Sequence, residues 1–401
     1  MKYFLTATLS VLVSLCSAQS YQKLHKQAIV ADTHNDVLST ATMNGLDIEN
    51  DLGGKTQSDL ARLKKGGVDV QVFSIFCDER FGKDTAFKYA NIEIDSLYAI
   101  ARRHPDKMMI ATTPADIQQA VHQKKLAAMM GVEGGHMIEG NLNYLDSFYK
   151  RGVRYMTLTW NNSTSWATSA KDETGPPKPS STGSALKDTV MRKGLTEFGK
   201  TVVKRMNELG MMVDLSHVGE QTFWDAISTT TKPVIVSHSC VYALCPVFRN
   251  LKDEQIKAVG KNGGVIQVNF YSGFLDSNYN KKMNAFMALH AAERDSLKKL
   301  NRPGYEIGEY LSRKYPGEVQ ALRPPLSLLI DHIDYIVRMI GAGHVGLGSD
   351  FDGIESAPKE LNGVQDYPLI TKALLARGYN KRDIKKILGG NFLRVLAANT
   401  R

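Results

Sequence analysis

Eight short apolar runs, rich in β-branched residues and each closing on a polar or glycine signal, constrain this chain more than any other feature. They are AIVADTH (28–34), VDVQVFSIF (68–76), AAMMGVEGG (127–135), VRYMTLTW (153–160), MMVDLSH (211–217), PVIVSH (233–238), GVIQVNF (264–270) and HVGLGSD (344–350). Between them lie stretches with a helical period. In LTEFGKTVVKRMNELG (195–210), apolar residues fall at Leu195, Phe198, Val202, Val203, Met206 and Leu209, and Gly210 supplies the stop. SLLIDHIDYIVRMIGAG (327–343) and KRDIKKILGGNFLRVL (381–396) read the same way. Strands that alternate with helices imply βα units and a parallel sheet. Continuously apolar strands need cover on both faces, and eight of them fit a closed (β/α)8 barrel of the TIM type better than an open sheet. A ninth run, KMMIATT (107–113), is expected as a short peripheral strand.

Two segments break the alternation. Residues 169–188, SAKDETGPPKPSSTGSALKD, are rich in Pro, Ser and Gly and are expected to form a long loop. Residues 272–325 read as an inserted helical excursion, since KKMNAFMALHAAERDSLKKL has helical spacing. Both follow strand ends on the face where barrel enzymes carry their sites, so either is placed to act as a lid.

Composition narrows the setting. The chain has 401 residues, 43% hydrophobic and 23% charged, as in a soluble globular protein. MKYFLTATLSVLVSLCSAQS opens with Lys2, an apolar run and small residues near Ala18, the pattern of an export signal cleaved after residue 18. Cys16 would suit a lipoprotein less well, because Leu15 stands where a small residue is expected. A single barrel domain over 19–401, periplasmic or secreted, follows. No later stretch is long and apolar enough to span a bilayer. Cleavage leaves Cys77, Cys240 and Cys245, an odd number that gives no disulfide framework; whether Cys240 pairs with Cys245 is open. The formal charge of +9 becomes +8 once Lys2 is removed (9 − 1). Its basic residues are scattered, a general surface charge rather than a nucleic-acid footprint.

The strand ends carry the chemistry. In VADTHNDVL (30–38), His34 and Asp36 lie two apart and aim to one side of an extended chain. The third run closes on Glu133, the fifth on His217, the sixth on His238 and the eighth on Asp350. In a barrel these ends ring one mouth, so distant residues meet there. Three imidazoles and two carboxylates exceed the three protein ligands of one catalytic zinc. If Glu133 bridges, one ion takes His34, Asp36 and Glu133, and the other takes Glu133, His217 and His238. Two Zn2+ ions sharing a hydroxide then suit the donor set, with manganese or iron as alternatives. Asp350 fits a proton carrier to a leaving amine. Asp352, its neighbour in GLGSDFDG, is read as capping the following turn. His136 is placed behind the ligands, and the other His residues are read as solvated or structural.

The motifs DTHND, GVEGGH, DLSHV, PVIVSHS followed by FRN, and GLGSDFDG resemble those of the membrane (renal) dipeptidase family, peptidase family M19. The likeness runs from about residue 24 to 398. It implies a binuclear zinc hydrolase of dipeptides, with the same ligand assignment and with Asp350 handling the proton. It also implies that Arg249 grips the dipeptide carboxylate, for which a guanidinium fork is suited. The sequence departs from the mammalian pattern at Trp160, where a substrate-contacting His is expected, and at Asn162, where a Cys is expected. Trp160 keeps one N–H donor but fills more volume, which bears on substrate range. Small dipeptides are the implied partners, with the assembly left open and a homodimer one option. The alternatives are a binuclear hydrolase of N-acyl amino acids, lactones or β-lactams, and a non-catalytic binding protein on the same scaffold.

Overall fold

The computed structural model describes residues 21–81, 84–175, 193–302 and 304–400. The export signal at 1–18, with Cys16, lies outside them, as do residues 176–192 of the expected long loop; within that loop Ala170–Thr174 forms a short helix. Among the described residues nine strands form one parallel sheet: β1 Ala31–Asn35, β2 Val70–Ile75, β3 Met108–Ile110, β4 Leu126–Glu133, β5 Val153–Thr157, β6 Met212–Asp214, β7 Ile235–Ser239, β8 Val265–Val268 and β9 Val345–Leu347. Their order is β1-β2-β4-β5-β6-β7-β8-β9, with β3 paired only to β4. The peripheral strand expected at 107–113 is therefore β3. The ends of the path meet just past β1 and β9, where Asp350 N donates to the His34 carbonyl (3.0 Å) and Asp36 N to the Phe351 carbonyl (2.8 Å). Ser349 adds two bonds to the Asp32 carboxylate (2.8 and 2.6 Å). The eight main strands and their surrounding helices thus make a nearly closed (β/α)8 barrel.

Strands buried on both faces explain the absence of alternation: every residue of β1, β2 and β4 is buried. Ala31, Val72, Met129, Met212, Ile235 and Val265 pack with Phe392, Val395 and Leu396 of the last helix, Asn391–Asn399. The larger apolar cluster joins strands to the outer helices. The helix Glu197–Leu209 is bounded by Thr196, whose side chain accepts from Gly199 N, and by Gly210 at φ +89°.

One helix differs from expectation. Residues 381–396 do not form a single α-helix, because a π-turn at Lys386–Gly390 separates Lys381–Lys385 from Asn391–Asn399. A Cβ on Gly389 would stand 2.4 Å from the Ile29 carbonyl, so the chain departs from the helix where it presses on the barrel. The 272–325 excursion comprises helices Ser272–Leu275, Tyr279–Leu289, Ala291–Lys299, Gly304–Lys314 and Pro316–Leu322. It has a small core of its own: Tyr279, Met283, Phe286, Ile307, Leu311 and Val319.

Candidate metal centre

The C-terminal ends of the strands gather the donors. Glu133 ends β4, His238 lies in β7, and Asp36, His217 and Asp350 follow β1, β6 and β9 within three residues. His34 Nε2 lies 3.5 Å from Asp36 Oδ2, 3.4 Å from Glu133 Oε2 and 4.0 Å from Asp350 Oδ1. On the other oxygen, Glu133 Oε1 is 2.9 Å from His217 Nε2 and 3.5 Å from His238 Nε2. Among the described residues three donor sets, each within 4.8 Å, result: His34–Asp36–Glu133, Glu133–His217–His238 and His34–His238–Asp350.

The hydrogen bonds behind the rings decide which nitrogen faces inward. Tyr155 donates its hydroxyl to the Thr33 carbonyl (3.0 Å), so it accepts from His34 Nδ1–H (2.8 Å). Ser237 donates to Asp214 Oδ2 (2.6 Å) and accepts from His238 Nδ1–H (2.8 Å). His217 Nδ1–H donates to Asn161 Oδ1 (3.2 Å). Each Nε2 therefore presents a lone pair to the centre. The His217 and His238 nitrogens stand 2.9 Å apart, and both face a carboxylate oxygen. Such a convergence of acceptors repels itself unless a cation or proton lies between them. His34 Nε2 and Asp36 Oδ1 are buried with no hydrogen-bond partner, which fits donors reserved for a metal.

The electrostatics agree. Burial opposes charge on His34, yet Glu133, Asp36 and Asp350 outweigh it and push the imidazole up to about 10. The field that would hold a proton there would equally favour a metal cation. Burial, with Arg249 nearby, pushes His217 down to about 3. His217 and Asp350 also carry backbone strain, with φ +64° and φ +60°. Donors from Thr159 Oγ1 (3.2 Å) and Ala170 N (2.8 Å) pin the His217 carbonyl.

A cavity of about 1120 Å³ opens over these groups, walled by Phe76, Trp160, Arg249, Tyr271 and Asp350, with Glu306, Glu309, Tyr310 and Arg313 of the insertion on its outer side. Arg249 is buried; its guanidinium donates to Ser239 Oγ (3.3 Å) and the His238 carbonyl (3.4 Å) and lies 5.3 Å from the Phe274 ring centre. Trp160 packs on Phe76, ring centres 4.9 Å apart. Asp352 differs from its sequence reading. Rather than capping the following turn, its Oδ1 accepts from Gln57 N (2.6 Å) while Gln57 Oε1 accepts from Asp352 N (2.7 Å). Two crossed bonds to a distant loop outcompete one local cap. His136 donates Nε2–H to the Cys77 carbonyl (2.9 Å) and interacts electrostatically with Glu133. Cys77, Cys240 and Cys245 are free and buried.

Residues 18–400 match the membrane dipeptidase family, peptidase family M19. The chain belongs to that family. An uncharacterised dipeptidase of Schizosaccharomyces pombe is 33% identical over 396 residues, covering 94% of this chain and 82% of the relative. The crystal structure of the probable dipeptidase PvdM from Pseudomonas aeruginosa is 27% identical, with TM-score 0.77 over 96% of this chain and 98% of that one. A Rhodobacter sphaeroides metallo peptidase, solved with a phosphinate mimic of L-Ala-D-Ala, shares the fold at 23% identity and TM-score 0.73, over 93% and 100% of the two chains. This M19 member is a metallo-dipeptidase hydrolase. Sequence reasoning did not single out its supporting residues Tyr155, Asn161, Ser237 and Asp214. One signal was available: Gly131 sits inside a strand, and a Cβ there would stand 2.0 Å from the Tyr155 ring.

Proposed function

We propose that this chain hydrolyses dipeptides with two zinc ions, one held by His34, Asp36 and Glu133 and the other by Glu133, His217 and His238. The observation that carries the reading is the split of the Glu133 carboxylate, Oε2 toward His34 and Oε1 toward His217 and His238. When bound, the metal pair supplies an activated water and polarises the scissile carbonyl. The chain's own groups do the rest. Asp350 takes the proton of the attacking water and passes it to the leaving amine. Arg249, buried beside the ligands, pairs with the C-terminal carboxylate, which restricts substrates to short peptides with a free carboxyl end. Trp160 and Phe76 wall the substrate away from bulk water. Residues 1–18 are assigned to a cleaved export signal; N-terminal sequencing of the exported protein should begin at Gln19.

The test is turnover of a dipeptide panel by the zinc-loaded protein, each dipeptide paired with its C-terminal amide. Dipeptides should be hydrolysed and the amides should lose about 100-fold or more in kcat/KM. No turnover by a fully metallated protein would end the proposal, and equal rates on amides would remove Arg249 from its role. The cavity of about 1120 Å³, slightly larger than the usual small-molecule site, favours one second reading: N-acyl amino acids, lactones or β-lactams as substrates. A clear rate preference for dipeptides excludes these as the main activity.

A further inference from the structure

Asp350 does not stand alone at the strand end. Asn269, one residue past β8 and fully buried, donates Nδ2–H to Asp350 Oδ2 at 2.8 Å. The orientation of this amide is dictated by its other partner. Tyr271 N can only donate, and it does so to Asn269 Oδ1 at 2.6 Å, so the NH2 end must face Asp350. A second Nδ2 contact reaches the His238 carbonyl at 3.5 Å. Asn269 is thus clamped between the backbone of Tyr271 and the strand that bears His238. With Oδ2 engaged, the other oxygen, Oδ1, is the one turned toward the metal ligands, 4.0 Å from His34 Nε2. The backbone at Asp350 is itself in the left-handed region, φ +60°, and the Asp350 N bond to the His34 carbonyl holds it there.

We propose that Asn269 is a positioning residue: its amide fixes the Asp350 carboxylate so that Oδ1, and not Oδ2, is the oxygen that carries the proton during hydrolysis. This rests on the assignment of Asp350 as proton carrier. In the step, an O–H bond of the attacking water breaks and its proton goes to Oδ1, while the water oxygen bonds to the scissile carbon and the C=O π pair moves to the carbonyl oxygen. The C–N bond of the tetrahedral adduct then breaks and that proton goes to the amine nitrogen. A carboxylate free to flip would place the proton half the time on an oxygen facing away from the leaving group, and would have to reorient in every turnover. Holding one geometry removes that cost.

The experiment compares Asn269→Leu, Asn269→Asp, Asp350→Asn and the double variant Asn269→Asp/Asp350→Asn, all zinc-loaded, by kcat, KM, metal content and Tm. Asn269→Asp retains the acceptor for Tyr271 N, so it keeps the loop if the leucine variant does not fold. Both single Asn269 variants should retain two metals per chain and lose about 10- to 100-fold in kcat with KM changed less than about threefold. The double variant re-forms an amide–carboxylate pair with its ends exchanged, so its Tm should recover toward the parent. Its kcat should stay as low as that of Asp350→Asn alone. An unchanged kcat in Asn269→Asp, a loss that follows metal content alone, or recovery of kcat in the double variant would overturn the positioning role. A parental rate in Asp350→Asn would instead bring down the proton-carrier assignment, and the Asn269 role with it.

Discussion

At the scale of single residues, the donors were legible and their supports were not. His34, Asp36, Glu133, His217 and His238 each end an apolar run, so their chemistry could be placed on one barrel mouth before any coordinates. Tyr155 could not, because a buried aromatic in a strand is ordinarily packing; only its hydroxyl, bonded to Thr33 and His34, ties it to the candidate metal centre. Tyr155→Phe keeps the ring but leaves His34 Nδ1–H without its acceptor. Metal affinity should fall about 10- to 100-fold in a chelator competition; unchanged affinity would mean that Tyr155 only fills space. A second residue acts far from the centre. Burial pushes the Asp69 carboxyl up to about 6 despite the bond from Val30 N (2.9 Å). An unfolded aspartate titrates near about 3.9, so the folded chain takes up this proton first. The contribution to stability is full below about pH 4 and is lost as pH rises through about 6. Asp69→Asn keeps an acceptor for Val30 and removes the buried charge. It should raise Tm at pH 7.5 and leave it unchanged near pH 4; a gain equal at both pH values would refute the assignment.

At the scale of elements, the apolar runs gave the strand number and the parallel barrel, including the peripheral β3. Local sequence could not show where tertiary contact overrides a helix, as at Gly389 against Ile29, nor where a side chain bonds to a remote loop, as Asp352 does to Gln57. The insertion was visible as helical spacing, but its place over the cavity comes from long-range packing. Its small core, which includes buried Phe286, makes it a unit that can loosen without the barrel. Phe286→Ala should cost about 3–5 kcal/mol within that unit. Hydrogen exchange should speed up across residues 279–322 while the strands stay protected. A uniform loss of protection would mean that the insertion and barrel unfold as one.

At the scale of the whole molecule, the barrel brings together groups more than 300 residues apart, since Asp350 N closes on the His34 carbonyl. Closure and the candidate metal centre are one structure: the bonds that seal β1 to β9 also set His34, Asp36 and Asp350. Among the described residues no helix is long and apolar enough to cross a membrane. The carboxylates Asp36, Glu133 and Asp350 line the cavity together with the Arg249 guanidinium. Under the proposed two-ion assignment the metals offset those carboxylates, and Arg249 is then available to a substrate anion. Metal removal should accordingly lower Tm, with recovery on adding zinc. The most direct test is the metal content of purified protein, parent against Glu133→Gln, measured after dialysis with zinc. The parent should hold two ions per chain, and Glu133→Gln, stripped of the shared carboxylate, should hold one or none with activity lost. One ion in the parent, or two retained in the variant, would contradict the bridged pair.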